Sequence, residues 1–268
     1  MEEQRSLIQE QFTQQAERYA ASPIVRNEQV LDAIVAMADP QPVDELLDVA
    51  CGTGILTLYL AARLASAPER EFVKGRVIGI DLTEAMLAQA RAEQERLGLT
   101  NVLWQRGDVQ ALPYPDASFS LVLSRFAFHH FAHPLAVLRE MQRVCRPGGR
   151  LVIADVTPAQ DKADAFNAME LLRDPSHVQA LSLEAWLALF AEAGLARPAY
   201  SQMRIEGELD ALLARSFPHE GDEPKIRALF EQSLQRDGLD VAPVLRDGQI
   251  YYSLPITIFF IEGLKDAH

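Results

Sequence analysis

The chain is 268 residues long with 49% hydrophobic content, enough to bury a full core and too apolar for a disordered segment. A formal net charge of -13, with no long run of Lys or Arg, leaves no basic face for a phosphate backbone and sets nucleic acid aside as a partner. The longest uninterrupted apolar run, near Ile256 to Ile261, is of strand length and the opening MEEQRSLIQEQ is polar and acidic, so no membrane span and no signal segment are expected and the predicted location is the cytoplasm.

Leu7 to Ala38 reads as two helices broken around Ser22 and Pro23, an addition ahead of the core. The first strand is predicted at Glu45 to Ala50, inside LLDVACGTG (Leu46 to Gly54), where an apolar run carries an acid and ends in a Gly-x-Gly turn. Such glycines let the backbone pass where a side chain would collide with a ligand. Helical apolar spacing follows from Ile55 to Ala65, so the turn joins a strand's C-terminal end to a helix, the crevice where open α/β sheets bind ligands. Further strands are predicted at Arg76 to Asp81, Val102 to Arg106, Phe119 to Arg125 and Arg150 to Asp155; their near-continuous Val, Ile and Leu imply burial on both faces.

Between the strands, a helix opens at Thr83, with Asp81 or Thr83 as cap, and ends at Gly98. Another starts at Pro134 and aligns Leu135, Leu138 and Met141. Pro147, Gly148 and Gly149 are expected to form a turn before the fifth strand. Phe166 to Arg173 and Leu183 to Ala193 look helical, Arg197 to Arg204 reads as a strand, and Pro255 to Ile261 is a β run. The intervening residues carry helical patches at Glu208 to Arg215 and Lys225 to Gln235 and an Asp247-Gly248 hairpin signal. An insertion of that size beside a sheet usually covers a site. The resulting division is 1–42 for the helical addition, 43–206 for the core, 207–250 for a substrate cap and 251–268 for the last strand. Alternating strands and helices give an α/β, doubly wound, mostly parallel sheet. Cys51 and Cys145 lack paired ligand spacing, so neither a disulfide nor a metal site is expected.

Carboxylates recur at the strand ends: Asp48, Asp81 and Asp108. One such Asp is ordinary helix capping, but successive ones point to a ligand. A carboxylate at Asp81 accepts two hydrogen bonds from a ribose diol, each contributing roughly 1.5 to 3 kcal/mol, against about 0.3 to 1 kcal/mol from the helix dipole near Gly54. A dinucleotide pocket wants a third glycine where Thr57 stands, and Asp48 is badly placed for a pyrophosphate but well placed for an amino-acid ammonium. A ribose cofactor with an amino-acid tail is thus favoured over NAD, although a nicotinamide-dependent oxidoreductase stays as an alternative.

DVACGTG, GRVIGID, GDVQALPYPDASFSLVLSRFAFHHF and LREMQRVCRPGGRLVIAD, in that order and spacing, resemble the class I S-adenosylmethionine-dependent methyltransferases. The branch is that of the ubiquinone and menaquinone C-methyltransferases, and within it the sequence is most similar to bacterial members of unassigned substrate. The resemblance implies a seven-stranded Rossmann-like sheet with an N-terminal lid, and S-adenosyl-L-methionine as cofactor. It implies that Asp48, Ala50, Gly52 and Gly54 line the methionine moiety, that Asp81 binds the ribose, and that Leu82 and Met86 sandwich the adenine. Asp108 and the Val109 amide then meet the adenine edge, Arg125 borders the methionine carboxylate, and Phe12 and Tyr19 belong to the lid.

Methyl transfer from a sulfonium is an in-line displacement that needs alignment, exclusion of water and, for a protonated nucleophile, a base; it requires no metal. His129, His130, Asp155 and His177 are within reach of the fourth and fifth strand ends, with His130 preferred as catalytic base and His129 beside it; capping and packing are the structural alternative for both rings. Phe126, Phe128 and Phe131 offer an aromatic rim for a planar acceptor such as a quinol, or simple core packing, and Phe128 and His177 are taken as substrate contacts. The Asn- or Asp-Pro-Pro-aromatic tetrad of amino-directed nucleic-acid methylases is missing from Ser124 to Phe128. The expected partner is a small molecule, a homodimer is an option, and the remaining alternative is a catalytically silent cofactor-binding subunit.

Overall fold

A computed structural model describes residues 2–65 and 75–262; the expected last segment therefore lies outside the described residues beyond position 262. Strands β1 (Glu45–Val49), β2 (Arg76–Asp81), β3 (Val102–Arg106), β4 (Phe119–Arg125) and β5 (Cys145–Val156) pair in parallel. To these β8 (Gln249–Glu262) adds antiparallel, flanked by β6 (Ala199–Glu208) and the short β7 (Val244–Arg246). The order along the sheet is β3-β2-β1-β4-β5-β8-β6, with β7 pairing β8 off that path. The order reverses direction between β1 and β4, so the crevice at their C-terminal ends is the topological switch point where α/β sheets hold ligands.

Helices α1 (Glu2–Ala21), α2 (Glu28–Ala38), α3 (Ile55–Ala65), α4 (Glu84–Leu97), α5 (Pro134–Val144), α6 (Ala163–Arg173) and α7 (Leu183–Glu192) precede β6. Helices α8 (Leu209–Arg215) and α9 (Glu223–Ser233) stand between β6 and β7. One apolar layer joins α2 and α3 to one face of the sheet through Val30, Ile34, Leu56 and Leu60. A second joins α5 and α7 to the other through Val137, Met141, Trp186 and Phe190. A third lies between α6, α8 and α9, where Phe166 and Met169 of α6 meet Leu212, Ile226 and Phe230.

The two N-terminal helices differ in kind. Helix α2 is a core element, capped by Asn27, whose Oδ1 accepts from the Val30 amide at 3.1 Å. Helix α1 buries only Gln11, Gln15 and Ala16 and is held by polar ties, including Gln4 Nε2 to the carbonyl of Ser176 at 2.8 Å and Arg18 Nη1 to the carbonyl of Ala214 at 2.8 Å.

The expected turn at Pro147-Gly148-Gly149 is instead a bulge within a longer β5. Phe119 pairs Cys145 and Leu121 pairs Arg150, so residues 146–149 loop out opposite Ser120, with Gly148 at φ 72°. The last two long strands also exceed their predicted bounds. Pro255 suggested a strand start, but the β5–β8 ladder ends at Val156↔Ile256, so the missing amide at Pro255 leaves no β5 partner unmatched. The Asp247-Gly248 hairpin forms with φ 50° and 80°, the doubly positive pattern of the tightest β-turn connection, and creates the extra strand β7.

Candidate active site

The ends of β1 and β4 open apart. Ala50 and Phe126, the residues just beyond these strands, adopt φ 56° and 54°, a left-handed conformation that costs a non-glycine residue of order 1 to 3 kcal/mol and clusters at functional sites. Asp48, 1% exposed, accepts from Thr57 Oγ1 at 2.6 Å. Burial raises its carboxyl to about 6, against the opposing pull of Thr57 and the Arg125 charge. Gly52 (φ 55°) meets no atom nearer than Tyr19 Cε1 at 3.9 Å where a Cβ would stand, so its backbone faces open cleft. Gly54 does not line the cleft: a Cβ there would lie 2.4 Å from Trp104 Cη2, and its φ is 74°. Its glycine serves the packing of the Trp104 indole, which Gly79 also admits, rather than the methionine moiety expected for it.

Asp81 ends β2 with one oxygen accepting from the Gly52 amide and the other from the Thr83 amide, both at 2.8 Å. It thereby ties the glycine turn to the start of α4, and burial raises its carboxyl despite these bonds. Beyond it, Leu82, Met86 and Val109 form an apolar slot. Asp108 closes that end; its Oδ2 accepts from Arg5 of α1 and its Oδ1 from the Gln110 amide at 2.9 Å. Arg125 sits at the opposite end, 8% exposed, with both terminal nitrogens donating to the carbonyl of Val25 at 2.8 Å. Burial lowers its pKa from the usual arginine range, with Tyr19 and Asp48 opposing. These residues frame a cleft at the carboxyl ends of the strands, lined by apolar side chains with a few convergent polar groups, as small-molecule sites are.

A second chamber adjoins it under α6, α8 and α9. Phe12, Tyr19, Phe126 and His130 line both spaces and form the partition between them. Phe12 meets His130 edge-on at 5.0 Å between centroids.

The histidines divide by their partners. His129 lines the second chamber, and its Nδ1 lies 2.6 Å from Asp155 Oδ1. Burial alone would depress this imidazole, but the Asp155 carboxylate outweighs it and holds the pKa above the ordinary value. His130 is engaged at Nδ1 by the Ser176 carbonyl (3.1 Å) and Oγ (3.2 Å); burial, followed by the charge of His129, lowers it to about 4, so it is neutral. His177 lines neither space: its Nε2 is 2.7 Å from Asn167 Oδ1, its ring stands 5.7 Å from His129, and burial lowers it to about 3. Phe128, expected on the acceptor wall, turns into the core against Phe131 and Trp186 at 2% exposure.

Several cleft residues went unnoticed in the sequence. Ile8 and Gln15 of α1 share a helical face with Phe12 and Tyr19, at i, i+4, i+7 and i+11, and this spacing in a mostly polar helix was the available signal. Nothing local marked Arg5, whose role depends on Asp108 a hundred residues away.

Residues 47–153 match the family model described as a methyltransferase domain. The chain is 29% identical over 206 residues to the uncharacterized methyltransferase YcgJ of Bacillus subtilis (strain 168), covering 76% of this chain and 78% of that one. It superposes on the crystal structure of YcgJ with a TM-score of 0.76 and 25% identity, over 90% of this chain and 100% of that chain. It is 32% identical over 181 residues to the uncharacterized protein YafE of Escherichia coli (strain K12), covering 63% of this chain and 87% of that protein. It is 35% identical over 161 residues to a demethylmenaquinone methyltransferase of Symbiobacterium thermophilum, covering 58% and 61% respectively.

Proposed function

The chain belongs to the class I S-adenosylmethionine-dependent methyltransferases, and we propose that its acceptor is a small hydroxylated molecule with an apolar, quinol-like or other aromatic body, deprotonated by His129. The cofactor is S-adenosylmethionine, and the cleft fits it. The open backbone at Gly52 leaves room for the methionine moiety, with the Asp48 carboxylate for its ammonium and Arg125 for its carboxylate. Asp81 would take the ribose hydroxyls, Leu82, Met86 and Val109 the faces of the adenine, and Asp108 its amino edge. When bound, the cofactor supplies an electrophilic methyl group on a sulfonium.

The observation that carries the acceptor reading is the His129–Asp155 pair at 2.6 Å on the wall of the second chamber. Asp155 also accepts from the Val156 amide at 2.7 Å, which fixes its Oδ1, and it holds the Nδ1 proton of His129 so that Nε2 carries the lone pair. A base so oriented removes a proton from a phenolic or quinol hydroxyl, and the resulting anion attacks through oxygen or through a conjugated ring carbon. The partition residues Phe12, Tyr19 and Phe126 keep water from that step. The relative named for demethylmenaquinone supports a ring acceptor. His130 lacks a carboxylate partner and is neutral, so it serves as a wall.

The test is a panel of catechols and naphthohydroquinones incubated with S-adenosylmethionine, read as release of S-adenosylhomocysteine. His129→Asn is expected to lower kcat by about 100-fold or more with cofactor affinity unchanged. The wild-type rate should rise with pH through the titration of His129. Asp155→Asn removes the charge that favours the imidazolium and should move that rise to lower pH. A His129→Asn enzyme with the wild-type rate at saturating acceptor would overturn the assignment.

A further inference from the structure

The second chamber carries one cation that the proposed reaction does not use. Its walls are mainly apolar, from residues such as Phe166, Met169, Leu212 and Phe230, and its other charged groups have hydrogen-bond or ion-pair partners. Arg173 is bonded to Glu170, with Nε donating at 3.0 Å to Oε2 and Nη2 at 2.5 Å. Asp174 accepts from the Ser176 hydroxyl at 2.6 Å and from the Ser176 amide at 2.9 Å, and Asp155 is met by His129. Arg215, at the end of α8, is the exception. It is half-buried on the chamber wall, and among the described residues no carboxylate lies within ion-pair reach of it.

Its charge is felt instead at the phenols of Tyr19 and Tyr252. Tyr252 is 1% exposed and lines the same chamber; its hydroxyl faces the Arg215 guanidinium and has no acceptor for its own proton among the described residues. A buried hydroxyl whose proton finds no acceptor costs about 1 to 3 kcal/mol unless a ligand satisfies it. A guanidinium without a carboxylate beside a phenol with no acceptor for its proton is a donor set waiting for an anion.

We infer that the acceptor carries a carboxylate that Arg215 and Tyr252 bind, so that the enzyme's substrates are hydroxylated organic acids with an apolar body. This rests on the acceptor chamber identified above. A monoanion suits the site better than a phosphate monoester, because among the described residues Arg215 is the one chamber cation without a carboxylate partner, while Glu170 and Asp174 stand on the same wall and repel a second negative charge.

The experiment uses the full chain saturated with S-adenosylhomocysteine, which fills the cofactor cleft and reports that the fold is intact. Hydroxyaryl-alkanoic acids of graded chain length, their primary amides and the corresponding phosphate monoesters are added, and binding is followed by thermal shift and calorimetry. At least one acid is expected to bind about tenfold or more tightly than its amide, as a lost charge-assisted bond predicts. Arg215→Gln should erase that preference while the shift caused by S-adenosylhomocysteine stays; Arg215→Lys should retain part of it, and Tyr252→Phe should weaken it. No acid preference anywhere in the panel, a preference kept by Arg215→Gln, or tighter binding of the phosphate esters than the acids would each overturn the inference. Turnover of neutral catechols with no acid preference would sink this inference and leave the proposed methyl transfer standing. Loss of turnover in His129→Asn tests that reading separately.

Discussion

Replacing Asp81 separates the observed role of one carboxylate in the turn at the end of β2 from its proposed role toward the ribose. Its oxygens accept from the Gly52 and Thr83 amides at 2.8 Å, and each also has the lone-pair capacity to accept from a ribose hydroxyl. A charge-assisted bond of this kind contributes about 1.5 to 3 kcal/mol, so losing even one weakens cofactor binding by about tenfold or more, and losing both weakens it far further. Asp81→Asn keeps the shape and one acceptor oxygen but removes the charge; Asp81→Ala removes everything. Calorimetry with S-adenosylhomocysteine should therefore rank wild type above Asp81→Asn above Asp81→Ala. The ligand-free proteins should fall in thermal stability in the same order, because the alanine variant leaves two backbone donors without their acceptor, at about 1 to 3 kcal/mol for each one that stays unsatisfied. Lower melting temperatures with unchanged affinity in both variants would mean that Asp81 serves the turn alone, and the ribose assignment would fall.

Gly54→Ala should destabilise the fold by about 2 to 4 kcal/mol, from the left-handed φ of 74° and the 2.4 Å approach to Trp104, lowering the melting temperature by roughly 5 °C or more. An unchanged melting curve would contradict the packing role given to this glycine. Asp48, with its carboxyl raised to about 6 by burial, is neutral below that pH and charged above it. Affinity for S-adenosylhomocysteine should therefore fall as the pH is lowered through about 6, and Asp48→Asn should bind weakly with that dependence flattened; a pH-independent wild type would remove Asp48 from the ammonium's partners.

The parallel half of the fold was legible because its signals are local. The apolar runs of β1 to β4 matched their observed bounds to within a residue, and Gly98 ended α4 by taking the left-handed cap. Much of the lining of the first cleft was legible too, since Asp48, Gly52, Asp81 and Asp108 sit at fixed offsets from strand ends. What failed to show were consequences of long-range packing. Gly54 looked like a cleft glycine, but its neighbour is an indole fifty residues on. Phe128 and His130 looked like acceptor and base beside Phe131 and His129. Both histidines reach the chamber, and a tight turn at 128–130 sends Phe128 toward Trp186 and gives His129, not His130, the carboxylate of Asp155. The chamber itself is assembled from α1, α6, α8, α9 and the extended start of β8, and no single stretch of sequence announces it.

Helix α1 belongs to both spaces. Its Arg5 and Gln9 reach Asp108 and the Leu82 carbonyl on the cofactor side, its Arg18 reaches the Ala214 carbonyl on the cap side, and Phe12 and Tyr19 stand in the partition between. An element whose buried positions are Gln11, Gln15 and Ala16 gives up little apolar burial on lifting, whereas α2, with Val30, Leu31 and Ile34 in the core, cannot move without opening it. Ligand access is therefore cheapest at α1. In the proposed reading, closing of that helix would cover the cofactor, complete the partition and dry the chamber around His129 and Asp155, where a lower dielectric would strengthen the pair proposed to orient the base. The polar composition of the first twenty residues suits an element that can lift at low cost, and the apolar composition of the next helix suits one that stays in the core.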